Sequence, residues 1–132
     1  MESHDVYIDD YDWRLRVYYN FNKDHIDELL WFMQINGFNE ESIDKTYTFL
    51  NRDTVNNGVT VVNKNSRKAV IVITETTSCG EFFNTLIHEL NHLSDFIADY
   101  YDINLSDESV SYMIGNIGML LFPKAGKFLC NY

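Results

Sequence analysis

The sequence predicts a single α+β domain, and three observations carry that prediction. The 132 residues are 45% hydrophobic and 15% aromatic, enough for one core without disulfide staples. Runs of β-branched and aromatic residues stand at 11–21, 59–62 and 69–74. Apolar residues at helical spacing lie between and after them. The order is strand, two helices, two strands, two helices, in one compact α+β unit. The chain has no repeats, linkers or low-complexity tracts.

Each element has a local reason. In 11–21, Trp13, Leu15, Val17 and Tyr19 alternate along a strand. Asp24 is placed to cap a helix from His25 to about Asn36; its apolar stripe is Ile26, Leu29, Leu30 and Met33, and Gly37 stops it. Asn39, followed by Glu40 and Glu41, opens a second helix to about Asn51, with Ile43, Tyr47 and Leu50 on one side. Asn56-Asn57-Gly58 is a turn cluster. The runs 59–62 and 69–74, separated by a polar stretch, form a hairpin or two neighbouring strands. Ser78 and Glu81 make a capping box for a long helix that ends near Tyr100. Residues 102–105 break the chain, Ser106 caps a last helix, and Pro123 ends it. Residues 124–132 carry no assignable pattern.

Charge narrows the function. Ten Lys and Arg face 20 Asp and Glu, for a net charge of −10. Residues 69–123 hold no Lys or Arg and eight carboxylates. Such a surface attracts cations and repels phosphate backbones, so no nucleic-acid partner is expected. No stretch approaches the ~18 apolar residues of a membrane span, and the N-terminus lacks a signal-peptide pattern. Cys79 and Cys130 belong to no CxxC pair and read as two reduced thiols.

The acidic half contains His88-Glu89-Leu90-Asn91-His92, an HExxH motif. Helical residues four apart differ by only about 40° in direction, so two imidazoles at that spacing can grip one metal ion. Zn²⁺ accepts two neutral imidazoles and leaves two tetrahedral positions open. Glu89 projects about 100° away, where it can take a proton from a water on that metal. A shuffled chain of this composition would contain HExxH about 0.7% of the time, so chance explains the match poorly. The bland alternative is a polar stripe on an amphipathic surface helix. Glu81, His88, His92, Asp95 and Asp99 share one side, with Leu86, Leu90, Leu93 and Ile97 opposite.

Glu108, in the first turn of the last helix, is the candidate third ligand, because two His and a Glu leave one position for water. A carboxylate there also complements the helix dipole. Geometry pulls the other way. In a straight helix His92 stands about 12 Å before Tyr100, and a tight hairpin would put Glu108 nearer Asp99. Asp95 and Asp99 are rival ligands, although one straight helix does not readily aim i, i+4 and i+7 side chains at one ion. Asp95 is better placed to orient an imidazole. The pattern HExxHxxGxxH/D is not met, since Asp95 and Ala98 occupy its Gly and third-ligand positions. Tyr112, one turn after Glu108, is a candidate to polarise a carbonyl or hold an oxyanion, against the plainer role of packing. His4 and His25 read as surface residues.

HExxH followed by a Glu on the next helix resembles the gluzincin branch of zinc metallopeptidases. The segment Glu108-Ser109-Val110-Ser111-Tyr112-Met113-Ile114-Gly115 adds to this, with Tyr11-Asp12-Trp13 and Asn57-Gly58-Val59-Thr60. These are similar to segments of small zincin-like proteins of Bacteroides-group gut bacteria and their phages. The likeness spans most of the chain, but Ser109 and Ser111 stand where small apolar residues are commoner. The resemblance implies a zincin-like fold and one Zn²⁺ held by His88, His92 and Glu108. It also implies Glu89 as general base and peptidase chemistry on a peptide or protein substrate. The expected setting is the cytoplasm of a bacterial or phage-infected cell, or a virion. Three functions stay open: a zinc hydrolase, a non-catalytic zinc-stabilised structural or interaction protein, and an acidic protein-binding module without metal. An enzyme keeps the fourth metal position open, whereas a structural site fills it with protein.

Overall fold

The computed structural model describes residues 1–52 and 57–129. The elements are β1 (Glu2–Ile8), β2 (Trp13–Phe21), α1 (Ile26–Ile35), α2 (Glu40–Leu50), β3 (Gly58–Asn63), β4 (Lys68–Thr74), α3 (Cys79–Tyr100) and α4 (Glu108–Leu129). The α+β class, the short sheet packed on four helices and the HExxH stretch on the long third helix are as the sequence predicts. The part of the turn at Asn56 and the end of the tail, with Cys130, lie outside the described residues.

The sheet order is β1-β2-β4-β3. Two antiparallel hairpins, β1/β2 and β3/β4, meet at a central parallel pair, β2/β4. Helices α1 and α2 cover one face and α3 and α4 the other. The central strands are therefore buried on both sides, which accounts for the unbroken apolar run Val70-Ile71-Val72-Ile73. In β2, Trp13, Leu15, Val17 and Tyr19 join the α3/α4 core, while Tyr18 joins the other. Asn20, at φ 57°, breaks this alternation where the register against β4 shifts, and Phe21 turns to the α1/α2 side.

Several local signals act as read. Asn39 accepts from the Ser42 amide at 2.7 Å, Ser78 from the Glu81 amide at 3.1 Å, and Gly37 ends α1 at φ 76°. Glu81 does not close its box; it accepts from the Thr77 hydroxyl at 2.7 Å. Other expectations are corrected. The polar pattern of Glu2-Ser3-His4-Asp5 does not predict β1, an edge strand defined by its backbone pairing with β2. Asn22, not Asp24, is the cap before α1: its side chain accepts from the Asp24 amide at 2.9 Å and starts a short 3₁₀ turn. At α4, Asp107 rather than Ser106 serves the first turn, accepting from the Ser109 amide at 2.9 Å.

Pro123 does not end α4. It forfeits the bond to the Met119 carbonyl, on a flank where Met119 is 69% exposed and water can serve that oxygen. Tertiary contacts hold the turns beyond it. Ala125 is buried, Phe128 stacks on Tyr19, and Lys124 donates to the Ser3 carbonyl at 2.7 Å. Among the described residues, no helix is long and apolar enough to cross a membrane.

Candidate metal centre

Helix α3 packs on β3 and β4, and α4 packs on α3 and β1. The two flanks of α3 therefore differ. One meets α4, where Leu90 lies near Gly118. The other runs beside the edge strand β3, where Glu89 meets Thr60 and Asp99 meets Lys64 of the following turn. His88 and His92 stand exposed on this second flank.

Their geometry suits a shared ion. The two Nε2 atoms are 3.0 Å apart, and the rings lie nearly perpendicular at 83°. Zn–N bonds of about 2.0–2.1 Å in a tetrahedron separate two ligand nitrogens by about 3.3 Å, so the pair fits zinc with a shift of a few tenths of an ångström. Without metal, one ring must donate and the other accept.

Glu89 is the buried member of the motif, only 3% exposed. Thr60 of β3 donates its hydroxyl to one carboxylate oxygen at 2.9 Å. A cleft of about 290 Å³ opens beside this carboxylate, bordered also by Phe49, Asn57, Gly58, Asn84 and His88. Gly58 lets β3 come this close. A Cβ there would lie 2.7 Å from the Val72 carbonyl oxygen and 3.0 Å from Glu89 Cγ. Sequence reading treats Gly58 as a turn residue and misses Thr60 as the partner of Glu89. A Gly opening a β-branched run was the available signal of close backbone approach.

The other sequence candidates lie elsewhere. Glu108 is exposed at the start of α4, ten residues before Gly118, hence about 15 Å along the helix from the level of Leu90. It also belongs to the helix that packs on the far flank of α3. Tyr112, one turn further, is 64% exposed. Asp99 is paired with Lys64 at 2.8 Å, and Asp95 is half-buried. Among the described residues, no group of three or more His, Cys, Asp or Glu side chains is gathered to hold a metal. The assembled set is two imidazoles with a carboxylate beside them.

No protein-family model, curated protein or solved structure matches the chain.

Proposed function

We propose a zinc-dependent hydrolase, of peptidase type, acting at the cleft between α3 and β3. One observation carries this reading: His88 and Glu89 border the same cleft, with His92 Nε2 3.0 Å from His88 Nε2. The two imidazoles would hold the metal. Bound zinc would supply an acidified water and polarise the carbonyl of the scissile bond. Glu89 would take a proton from the attacking water and return it to the leaving amine. Thr60 would fix one of its oxygens and leave the other for that transfer. The substrate class is a peptide or protein, and the acidic surface disfavours nucleic acid. The cytoplasm of a bacterial or phage-infected cell is the proposed setting.

A non-catalytic zinc staple is the second reading. The exposure of both imidazoles favours it, since a partner could complete the coordination. Zinc analysis and cleavage of a broad peptide library by wild type and Glu89→Gln separate the two. The hydrolase reading expects about one zinc per chain in both proteins and cleavage at least ~10²-fold slower in the variant. Equal cleavage by the variant removes Glu89 from the reaction. A wild type that holds zinc and cleaves nothing supports the staple.

A further inference from the structure

The opposite face of the sheet carries a feature that the metal centre does not use. Helices α1 and α2 pack there over Tyr18, Phe21, Val70 and Val72. Beside them, Arg14 and Arg16 of β2 and Lys68 of β4 border an open cleft of about 410 Å³, with Tyr7 and Phe32 in its walls. Arg16 is already neutralised. Its guanidinium holds both oxygens of Asp5, the one carboxylate of the cleft, at 2.7 and 2.9 Å, and lies 3.9 Å over the Phe32 ring.

Arg14 and Lys68 have no such partner. They are register partners on the adjacent parallel strands β2 and β4, so two cationic side chains leave the same face of the sheet from neighbouring positions. Arg14 lies over the Tyr7 ring at 5.0 Å, and Lys68 donates to the Asn36 side-chain oxygen at 2.9 Å. Neither forms an ion pair among the described residues. The nearby carboxylate of Asp12 is taken by Arg67 at 3.1 Å and the Tyr7 hydroxyl at 2.8 Å. In a chain whose carboxylates outnumber its cations two to one, composition does not explain two neighbouring unpaired cations in one concavity.

We propose that this cleft binds a small phosphorylated molecule, with a phosphate monoester between Arg14 and Lys68 and its organic part against Tyr7 and Phe32. A phosphate monoester is largely dianionic above its second pKa of about 6, which matches the two unpaired cations. A guanidinium fork and a mobile ammonium both suit phosphate oxygens. The volume falls in the usual range of about 300–1,000 Å³ for small-molecule sites. A long polyanion would meet the repulsion of the whole acidic chain, whereas a small ligand meets the local cations and one carboxylate, Asp5, that Arg16 already holds.

Isothermal titration calorimetry with phenyl phosphate, inorganic phosphate and benzoate tests this, on wild type, Arg14→Gln and Lys68→Gln. Glutamine at 68 retains a donor for Asn36. The expected order of affinity is phenyl phosphate, then inorganic phosphate, then benzoate. Each substitution should weaken phenyl phosphate binding by about tenfold or more, the loss of one charge-assisted contact. Without ligand, neither variant should melt clearly lower than wild type, because neither cation is held in an ion pair among the described residues. The proposal is overturned by undetectable binding of both phosphates at about 10 mM. It is equally overturned by variants that bind like wild type, by benzoate binding as tightly as phenyl phosphate, or by both variants melting lower without ligand. Zinc content, read on the same samples, depends on the other face and should not change.

Discussion

Between Thr85 and His92, α3 presses one carboxylate into the edge of the sheet and holds two imidazoles together beside it. Between Asp99 and Glu108, the same helical hairpin carries four carboxylates and spreads them over solvent. Asp99 pairs with Lys64, Asp102 occupies a left-handed turn at φ 57°, Asp107 serves the first turn of α4, and Glu108 stands exposed. The difference lies in what covers them. Glu89 is enclosed because Gly58 brings β3 against it and Thr60 supplies a hydroxyl. Burying a carboxylate is costly unless it is hydrogen-bonded, and only the first region provides for that cost. At the second, all four carboxylates are exposed, so water solvates them without such an enclosure.

The sharpest way to break this comparison is to ask which end holds metal. His88→Ala or His92→Ala should each abolish zinc binding at stoichiometric metal, because each removes half of the assembled donor set. Glu108→Ala should change zinc affinity only a few-fold, since about 15 Å of helix separates it from the pair's level. Competition titration with a chelating dye reads both. If Glu108→Ala loses zinc as fully as His92→Ala, the two regions act as one site and the contrast collapses.

Much of the first region is legible in the sequence, for a physical reason. Helix pitch alone puts His88 and His92 on one side, and Ser78 marks where α3 starts. Such signals are local. The unread parts are long-range. The bond from Thr60 to Glu89 spans 29 residues and depends on α3 lying along β3 rather than β1. The pairing of Arg14 with Lys68 depends on β2 and β4 being parallel neighbours. Likewise β1 is held by ladder bonds that its side chains do not advertise. Glu108 lies away from the level of the imidazole pair because spacing along a chain does not specify how a seven-residue connection folds back. Pro123 shows the opposite error, a strong local signal overridden by the packing of Ala125 and Phe128.

Smaller effects should come from the support of Glu89. Gly58→Ala drives a Cβ toward the Val72 carbonyl, which the β3/β4 ladder cannot easily release, and toward Glu89. The expected cost is about 1–3 kcal/mol, typical of overpacking. Thr60→Val keeps the shape and removes the hydroxyl, leaving the buried carboxylate short of a donor for about 1–3 kcal/mol. Urea unfolding measures both. Zinc content should survive in each, because neither touches an imidazole. A Gly58→Ala protein as stable as wild type would mean that β3 does not close on α3 as described.

The smallest effect belongs to the second region and concerns pH. The Ser109 backbone N–H donates to the Asp107 carboxylate and holds its pKa below the usual carboxylate range. A folded-state pKa below the unfolded one means stability that is fully present above the unfolded value. It is lost as pH falls through the folded value. Asparagine at 107 accepts the same bond but does not titrate, and it caps about as well as aspartate. Asp107→Asn should therefore melt slightly below wild type near neutrality, where the carboxylate also favours the positive end of the α4 dipole. Below the carboxylate range that small gap should close and then reverse, as the wild-type side chain is protonated. Melting temperature against pH, with zinc content checked alongside, reads this directly. A gap that stays constant through the acid range would mean that Asp107 does not titrate with folding. Any fall in zinc content in this variant would tie the two regions together, against the separation argued for them.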